Sequence, residues 1–329
     1  MNQSAERPAA RTVGIVVPVF NERDGIHAFH QRLRATIDAL PQTFEVWYVN
    51  DGSTDGTEAM VAEIIRQDPR VHLLNLSRNF GHQAALTAGL DFASGEVVIT
   101  MDGDGQHPPA CLVGMLDLYR RGFDVVLTQR ADESESGLFK RTTSRWFYRL
   151  LDWMTSTPVV PGAADFRLMS QQAVLSFRQV RETHRFIRGL VSWMGFRWTV
   201  LQFKPDRRIA GQSKYSLRKM LRLANDAIFS FGTAPIRLAL FLGLCVLGLA
   251  FIEFLDPLIH ILTGRTSELV PGWTTLLLSV LVLGATQLIT LAILGRYVGL
   301  IYEEVKRRPL YLLRGSPVDQ STLRDKRDR

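Results

Sequence analysis

The sequence has 329 residues, of which 46% are hydrophobic and 22% are charged, and its formal net charge is +7. This composition is ordinary for a globular chain, and its two distant cysteines exclude a scaffold held together by disulfides. The positive charge suits an anionic partner: a nucleic acid, a lipid surface or a phosphorylated substrate. Residues 1–11 have no apolar core, so we expect a flexible tail and no signal peptide.

Strands and helices alternate through the first part of the chain. Nearly continuous apolar runs, rich in β-branched residues, predict parallel strands buried on both faces at 13–18, 44–49, 71–76, 96–101 and 124–128. Helical spacing or helix-start signals lie between them, from Asp24 to Leu40, after an N-cap at Asp55, from Gly81 to Ala93, and from Pro108 to near Gly122. The pattern predicts an α/β fold with a doubly wound, mostly parallel sheet.

Polar residues follow three of the five predicted strands. The first strand ends in PVFNE (18–22), the second in NDGSTDGT (50–57) and the fourth in DGDGQHPP (102–109). In open α/β sheets, ligands bind outside these carboxyl ends. NDGSTDGT alone is equally well explained as a turn and helix cap, but acidic residues gathered at three strand ends repel one another. A cation or ribose hydroxyls would resolve that conflict.

The fourth strand end has the composition of a metal site. Asp102, Asp104 and Gln106 supply alternating oxygen ligands, which favour Mg²⁺ or Mn²⁺ completed by substrate phosphates. A lone histidine such as His107 more often has a supporting role than a ligating one. No GxxxxGK[ST] loop, no GxGxxG after the first strand and no HExxH motif is present.

The ordered motifs resemble a known family. PVFNE, NDGSTDGT, RNFGHQAALTAGL (78–90) and MDGDGQHPP together look like the GT-A domain of family 2 glycosyltransferases. More narrowly, with GAADFRLMS (162–170), GQSKYSLRKM (211–220) and GRYVGLIYEEVKRRPLY (295–311), they resemble the polyprenyl-phosphate glycosyltransferases, which include dolichol-phosphate mannosyltransferase and bactoprenol glucosyltransferase. Gly105 departs from the pattern, since relatives usually have an apolar residue there.

The resemblance implies roles for individual residues. The nucleoside would be framed by Pro18, Phe20, Glu22 and Asp51, and the metal that bridges the diphosphate would be held by Asp102, Asp104 and Gln106. Asp104 is expected closest to both sugar and metal. Asp165 matches a catalytic carboxylate, which we expect to orient the acceptor or stabilise oxocarbenium character, with a general-base role the lesser alternative. Arg130 is expected to reach the diphosphate or the acceptor phosphate.

The C-terminal part predicts a membrane anchor. Two apolar segments, 236–256 and 273–295, are long enough to span a bilayer. Lys and Arg residues flank their outer ends, whereas the connecting loop 256–272 has only Arg265. The positive-inside rule therefore places the catalytic domain and both termini in the cytoplasm, with the two spans in the inner membrane. We predict a glycosyltransferase domain at 12–210, an interfacial amphipathic helix at 211–234, spans within 235–300 and a basic tail at 301–329.

Basic and aromatic residues near the membrane predict the acceptor site. The segment FKRTTSRWFYRLL (139–151) and the predicted interfacial helix both combine cations with apolar side chains. We expect Arg141, Ser144, Arg145 and Lys214 to bind the phosphate of a lipid acceptor. Such a phosphate is already an anionic nucleophile, so one displacement without a strong base would invert the anomeric centre.

These features predict a membrane-anchored inverting glycosyltransferase that moves a sugar from a nucleotide sugar to polyprenyl phosphate. Relatives favour a UDP donor, and a GDP-mannose-dependent enzyme is the first alternative. A polysaccharide synthase is less consistent, since the QxxRW motif is absent; a membrane-bound nucleotidyltransferase remains open. A nucleic-acid-binding protein without catalysis would not explain the acidic strand ends. The resembling proteins form tetramers, which leaves homo-oligomerisation open. The sugar, the lipid length and the metal are not specified.

Overall fold

The structure is a computed structural model that describes residues 6–131, 163–206 except 184 and 186, 234–262 and 272–315. Its described residues form two compact units. The first contains a seven-stranded sheet with the order β3-β2-β1-β4-β6-β5-β7. The strands are β1 (Thr12–Val19), β2 (Thr43–Asn50), β3 (Val71–Asn75), β4 (Val97–Thr100), β5 (Val125–Arg130), β6 (Ala163–Ser170) and β7 (Trp198–Phe203).

Among the described residues, six helices accompany the sheet and two long helices belong to the second unit. The first six are α1 (Arg23–Ile37), α2 (Thr57–Gln67), α3 (His82–Phe92), α4 (Cys111–Arg120), α5 (Gln171–Gln179) and α6 (Ile187–Trp193). The long helices are α7 (Ala234–Leu262) and α8 (Trp273–Val305), which pack against each other. Residues 309–315 follow α8 in the sequence but belong to the first unit, with the sheet.

The predicted strands and the alternation with helices are confirmed. β1 pairs in parallel with β2 and with β4, and β2 pairs in parallel with β3. The apolar runs of β1, β2 and β4 are buried along almost their whole length, as expected for strands covered on both faces. The carboxyl ends of β2, β1 and β4 therefore lie side by side at one edge, where the three polar loops begin.

Two strands lie beyond the five that the apolar pattern predicts. β6 is antiparallel to both β4 and β5, between which it lies, and β7 pairs in parallel with β5. β6 has no simple strand pattern, because its sequence AADFRLMS places Asp165 and Arg167 in a buried environment. Burial of ionised groups is uncommon unless they are paired, so composition alone argues against a central strand there.

One predicted helix start is wrong in detail. α2 begins at Thr57, its N-cap position is Gly56 with φ of 92°, and no side chain caps it there. Asp55 instead accepts hydrogen bonds from the backbone N–H of Thr57 at 3.0 Å and of Arg23 at 3.1 Å. The carboxylate therefore joins the first residue of α1 to the start of α2.

The long helices carry the apolar segments predicted as spans. Among the described residues, one stretch, Val282–Val305 of α8, is long and apolar enough to cross a membrane, and Ala239–Leu249 of α7 is a shorter apolar stretch. The predicted pair of spans is therefore not confirmed by length and composition alone. The predicted interfacial helix at 211–234 lies almost entirely outside the described residues.

Candidate active site

The turn after β4 is held in shape by its own side chains. The backbone N–H of Asp102 donates to Nδ1 of His107 at 3.0 Å, and the N–H of Gln106 donates to Oδ1 of Asp104 at 3.0 Å. Gly105 has φ of 80°, a left-handed conformation that favours glycine. These contacts account for the spacing of DGDGQH, in which polar side chains tie down the backbone between them.

His107 supports this turn from the core. It is buried and its ring stacks on Phe166, with centroids 4.9 Å apart. Burial lowers the pKa of His107, against the opposing charges of Asp102 and Asp104. Because Nδ1 accepts the Asp102 N–H, the neutral ring carries its proton on Nε2, which lies 3.7 Å from Oδ2 of Asp102. The expectation of a supporting role agrees with this geometry.

The carboxylate of Asp102 has capacity to bind a further group. Its Oδ1 is buried and accepts no hydrogen bond from the described residues. A buried oxygen without a donor is costly unless a ligand satisfies it. Together with Asp104 and Gln106, it forms an oxygen donor set suited to Mg²⁺ or Mn²⁺. Within the described part of the chain, no three His, Cys, Asp or Glu side chains form a metal cluster, so substrate oxygens would have to complete such a site.

The loops after β1 and β2 are bonded to each other. The N–H of Asn21 donates to Oγ of Ser53 at 3.0 Å, and the N–H of Glu22 donates to Oγ1 of Thr57 at 3.0 Å. Phe20 is 37% exposed at this position, directly after β1, whereas Pro18 is buried within the strand. The two loops carry three of the predicted nucleoside-binding residues, Phe20, Glu22 and Asp51, and these contacts join them into one continuous surface.

Asp51 is buried and both of its oxygens have partners. Oδ1 accepts the N–H of Phe80 at 2.7 Å and Oδ2 accepts the N–H of Gly81 at 2.9 Å. Burial raises the pKa of Asp51, although the two backbone hydrogen bonds oppose the shift. The carboxylate thus fixes the loop between β3 and α3 against the end of β2, and each oxygen keeps a lone pair for a ligand.

Asp165 is surrounded by cations. Arg188 from α6 donates to both of its oxygens, at 3.1 Å and 2.9 Å, and Arg167 contacts Oδ1 from within β6. Burial would raise the pKa of Asp165, but Arg188, His82 and Arg167 hold it well below its usual range. A carboxylate that stays ionised beside two guanidinium groups is a poor proton acceptor. It can instead orient its neighbours and balance their positive charge.

His82 links the two acidic centres and was given no role from the sequence. Its Nε2 lies 3.6 Å from Oδ1 of Asp102 and 3.5 Å from Oδ2 of Asp165. Partial desolvation of the ring, whose side chain is still 42% exposed, lowers the pKa of His82, but the hydrogen bond with Asp165 and the charges of both aspartates outweigh it, so the pKa is raised. One feature of the sequence could have indicated a role for His82: it begins a helix that follows a parallel strand, and so lies where ligands bind in such sheets.

Arg130 lies at the metal turn. It ends β5, is exposed, and donates from Nη2 to Oε1 of Gln106 at 3.0 Å. It is therefore placed beside one predicted metal ligand. The predicted acceptor residues Arg141, Ser144, Arg145 and Lys214 all lie outside the described residues.

The acidic, metal-compatible turn and the buried Asp51 lie at the carboxyl ends of parallel strands, where α/β folds bind their ligands. Comparisons with known proteins indicate which class of α/β protein this is. Residues 14–177 match the profile of glycosyl transferase family 2. The chain is 38% identical over 303 residues to the protein called uncharacterized glycosyltransferase YkcC of Bacillus subtilis (strain 168), covering 92% of this chain and 93% of that one.

A second relative has a more specific name. The bactoprenol glucosyl transferase of Shigella phage SfII is 38% identical over 304 residues, covering 92% of this chain and 98% of the relative. Among solved structures, mannosyl-3-phosphoglycerate synthase from Rubrobacter xylanophilus is similar with 17% identity, a TM-score of 0.49, and coverage of 66% and 71%. This chain belongs to glycosyl transferase family 2 and is a glycosyltransferase.

Proposed function

We propose that this protein is a membrane-anchored, inverting glycosyltransferase that moves a sugar from a nucleotide sugar, most simply a UDP-sugar, to polyprenyl phosphate. The observation that supports binding of a nucleotide sugar is the buried Oδ1 of Asp102, which accepts no hydrogen bond from the described residues and lies on a turn that also presents Asp104 and Gln106. The acceptor half is supported by similarity to a bactoprenol glucosyl transferase along nearly the whole of both chains.

The donor site would use all three strand-end loops. Pro18, Phe20, Glu22 and Asp51 would frame the nucleoside, and Asp102 with Arg130 would face the diphosphate. Asp102, Asp104 and Gln106 would hold Mg²⁺ or Mn²⁺, which when bound neutralises charge on the departing nucleoside diphosphate. Arg130 would add a fixed positive charge, since its guanidinium is already held beside Gln106.

Asp165 would hold the side chains of Arg188 and His82 in position and balance their positive charge. The acceptor phosphate is itself an anion, with a second pKa of about 6, so it needs little activation by a base. The low pKa of Asp165 and its contacts with Arg188 and His82 support this role over the general-base alternative. Arg141, Ser144, Arg145 and Lys214 would bind the acceptor phosphate, as their basic and polar character suggests.

The membrane part would deliver the catalytic domain to its lipid substrate. We place two spans in α7 and α8 and the catalytic domain in the cytoplasm of a cell with an inner membrane. The apolar stretch Val282–Val305 supports a span in α8, and the distribution of Lys and Arg supports the orientation. Since the acceptor phosphate lies at headgroup depth, an anchored enzyme would meet it far more often than a soluble one.

A product assay tests this function. Membranes containing the protein would be incubated with polyprenyl phosphate and, separately, labelled UDP-glucose, UDP-galactose, UDP-N-acetylhexosamine or GDP-mannose. We expect one donor to give a labelled lipid monophosphate sugar together with free nucleoside diphosphate, and membranes carrying Asp104→Asn to give neither. Release of nucleoside monophosphate or pyrophosphate would indicate a nucleotidyltransferase, and a growing polysaccharide would indicate a synthase; either result would refute the proposal.

A further inference from the structure

The chain returns to the catalytic sheet after α8 through residues 309–315, which we call the C-terminal strap. Leu313 forms an antiparallel bridge with Leu76, directly beyond the end of β3. The N–H of Ser77 donates to the carbonyl of Leu312 at 2.8 Å, and the N–H of Arg314 donates to the carbonyl of Asn75 at 2.7 Å. Because β3 is an outer strand of the sheet, the strap occupies backbone groups that would otherwise form an open edge.

A second anchor ties the strap to α3. The hydroxyl of Tyr311 donates to Oδ2 of Asp91 at 2.9 Å. Asp91 is 1% exposed and also accepts two hydrogen bonds from Arg181, at 2.7 Å and 3.0 Å. A buried carboxylate with these donors is fully compensated. The strap therefore contacts both ends of one region: the end of β3 and the C-terminal end of α3.

The loop between these anchors, residues 76–81, carries the backbone groups that bind Asp51. Its Phe80 and Gly81 N–H groups occupy the two carboxylate oxygens. The loop also lies directly against Gly52, since a Cβ there would be 2.5 Å from the carbonyl carbon of Arg78. Any shift of the loop would therefore move the residues that follow β2.

A chain of side chains also joins the strap to the loop that follows β2. Arg314 pairs with Glu58, which accepts from Nδ2 of Asn75 at 3.0 Å. Asn75 in turn accepts from Nδ2 of Asn50 at 2.9 Å, and Asn50 is bonded to the N–H of Ser53 at 3.0 Å. The strap is thus connected to Asp51 in two ways: through the loop 76–81, which donates hydrogen bonds to it, and through Asn50, which precedes it in the sequence.

We infer that the C-terminal strap is a positioning element of the donor site, in which Tyr311 and Arg314 hold Asp51 and its loop in the geometry that binds the nucleoside. The inference rests on the proposed function, which places the nucleoside at Asp51. A loop already ordered before binding costs less to order on binding, so its anchors strengthen donor affinity. Both side chains are engaged with the protein itself, Tyr311 with Asp91 and Arg314 with Glu58, so we expect the chemical step to be little affected.

Tyr311→Phe tests the anchor on α3 in the full-length protein in detergent. The change removes one hydroxyl and leaves Arg181 paired with Asp91. We expect the Kd for the nucleoside diphosphate, UDP or GDP, measured with Mn²⁺, to rise about three- to tenfold, the range for one lost hydrogen bond. The KM for the nucleotide sugar should rise alike, with kcat and the KM for polyprenyl phosphate nearly unchanged. Tyr302→Phe, at a residue 61% exposed on α8, is the matched control.

Substitutions at Arg314 independently test its ion pair with Glu58. Arg314→Gln should weaken nucleotide binding in the same way, and Arg314→Lys should restore part of the affinity because it keeps the charge beside Glu58. A role confined to covering the sheet edge predicts a lower melting temperature with an unchanged nucleotide Kd, which would overturn the inference, as would equal increases in both KM values. If the unmodified protein binds neither UDP nor GDP, the proposed function fails and the inference with it.

Discussion

At the scale of single residues, the candidate site is built from side chains that fix the backbone and leave one oxygen unsatisfied. His107 and Asp104 accept backbone N–H groups within the turn, whereas Oδ1 of Asp102 is buried and accepts none from the described residues. Asp102 also lies near two histidines. The turn is therefore shaped before a ligand arrives, and its unsatisfied oxygen marks where positive charge is required.

Removing either aspartate should abolish transfer. We expect Asp102→Asn and Asp104→Asn to lower kcat about a thousandfold, comparable to the loss of a principal electrostatic stabiliser. Chelation by EDTA should have the same effect, reversed by added Mg²⁺ or Mn²⁺. Sugar transfer to polyprenyl phosphate measures both effects, and circular dichroism checks that the fold remains.

A surface aspartate provides the control for this prediction. Asp117 lies on α4 and pairs with Arg121 at the surface, so Asp117→Asn removes the same charge away from the site. Its activity should equal that of the unmodified protein. Full transfer activity in EDTA would contradict metal dependence, and equal losses in all three variants would indicate a general effect of charge.

At the scale of elements, α3 connects the core of the sheet to the candidate site. Its first residue is His82, and its middle lies directly on the sheet: a Cβ at Gly89 would be 2.1 Å from Cγ1 of Val16 and 3.1 Å from Cγ2 of Val49. Only glycine allows a helix to approach β1 and β2 this closely. The position of His82 between the two aspartates therefore depends on packing about two helical turns away.

Gly89→Ala should destabilise the protein although alanine favours helices. The added methyl group overpacks the interface with Val16, and such changes cost about 1–3 kcal/mol. Gly114→Ala on α4 is the matched control, because its Cβ would meet Leu201 at an ordinary 3.4 Å. It should instead stabilise the helix by up to about 1 kcal/mol. Chemical denaturation measures both changes; equal stability of the two variants would show that α3 can move outward at no cost.

The elements also show what the sequence could and could not predict. The first five strands are apolar runs and were predictable, as was the turn that presents Asp102 and Asp104. β6 was not, because its two buried charges, Asp165 and Arg167, pair with each other and Asp165 also needs Arg188 from α6. Arg188 and His82 were missed for the same reason: each acts on a carboxylate distant in sequence, and no local pattern encodes that pairing.

At the scale of the whole molecule, the strap restricts how the chain can cross a membrane. Residues 311–314 are hydrogen-bonded to the catalytic unit, so the two lie on the same side of any bilayer. An even number of crossings must therefore separate them in sequence. Since one stretch of the described residues is long and apolar enough to cross, a second crossing is required if that stretch spans. The apolar stretch of α7 is the natural place for it.

Thiol labelling tests this topology. In a background with Cys111 and Cys245 replaced by alanine, Ser267→Cys should react with an impermeant reagent added outside the cytoplasmic membrane, because position 267 lies between α7 and α8 in the sequence. Ser316→Cys, immediately after the strap, should react only once the membrane is permeabilised. Labelling of Ser316→Cys alone would reverse the orientation and remove the site from cytosolic nucleotide sugars. Labelling of both sites from outside, or protection of both, would place the two positions on the same side of the membrane and so refute the pair of crossings.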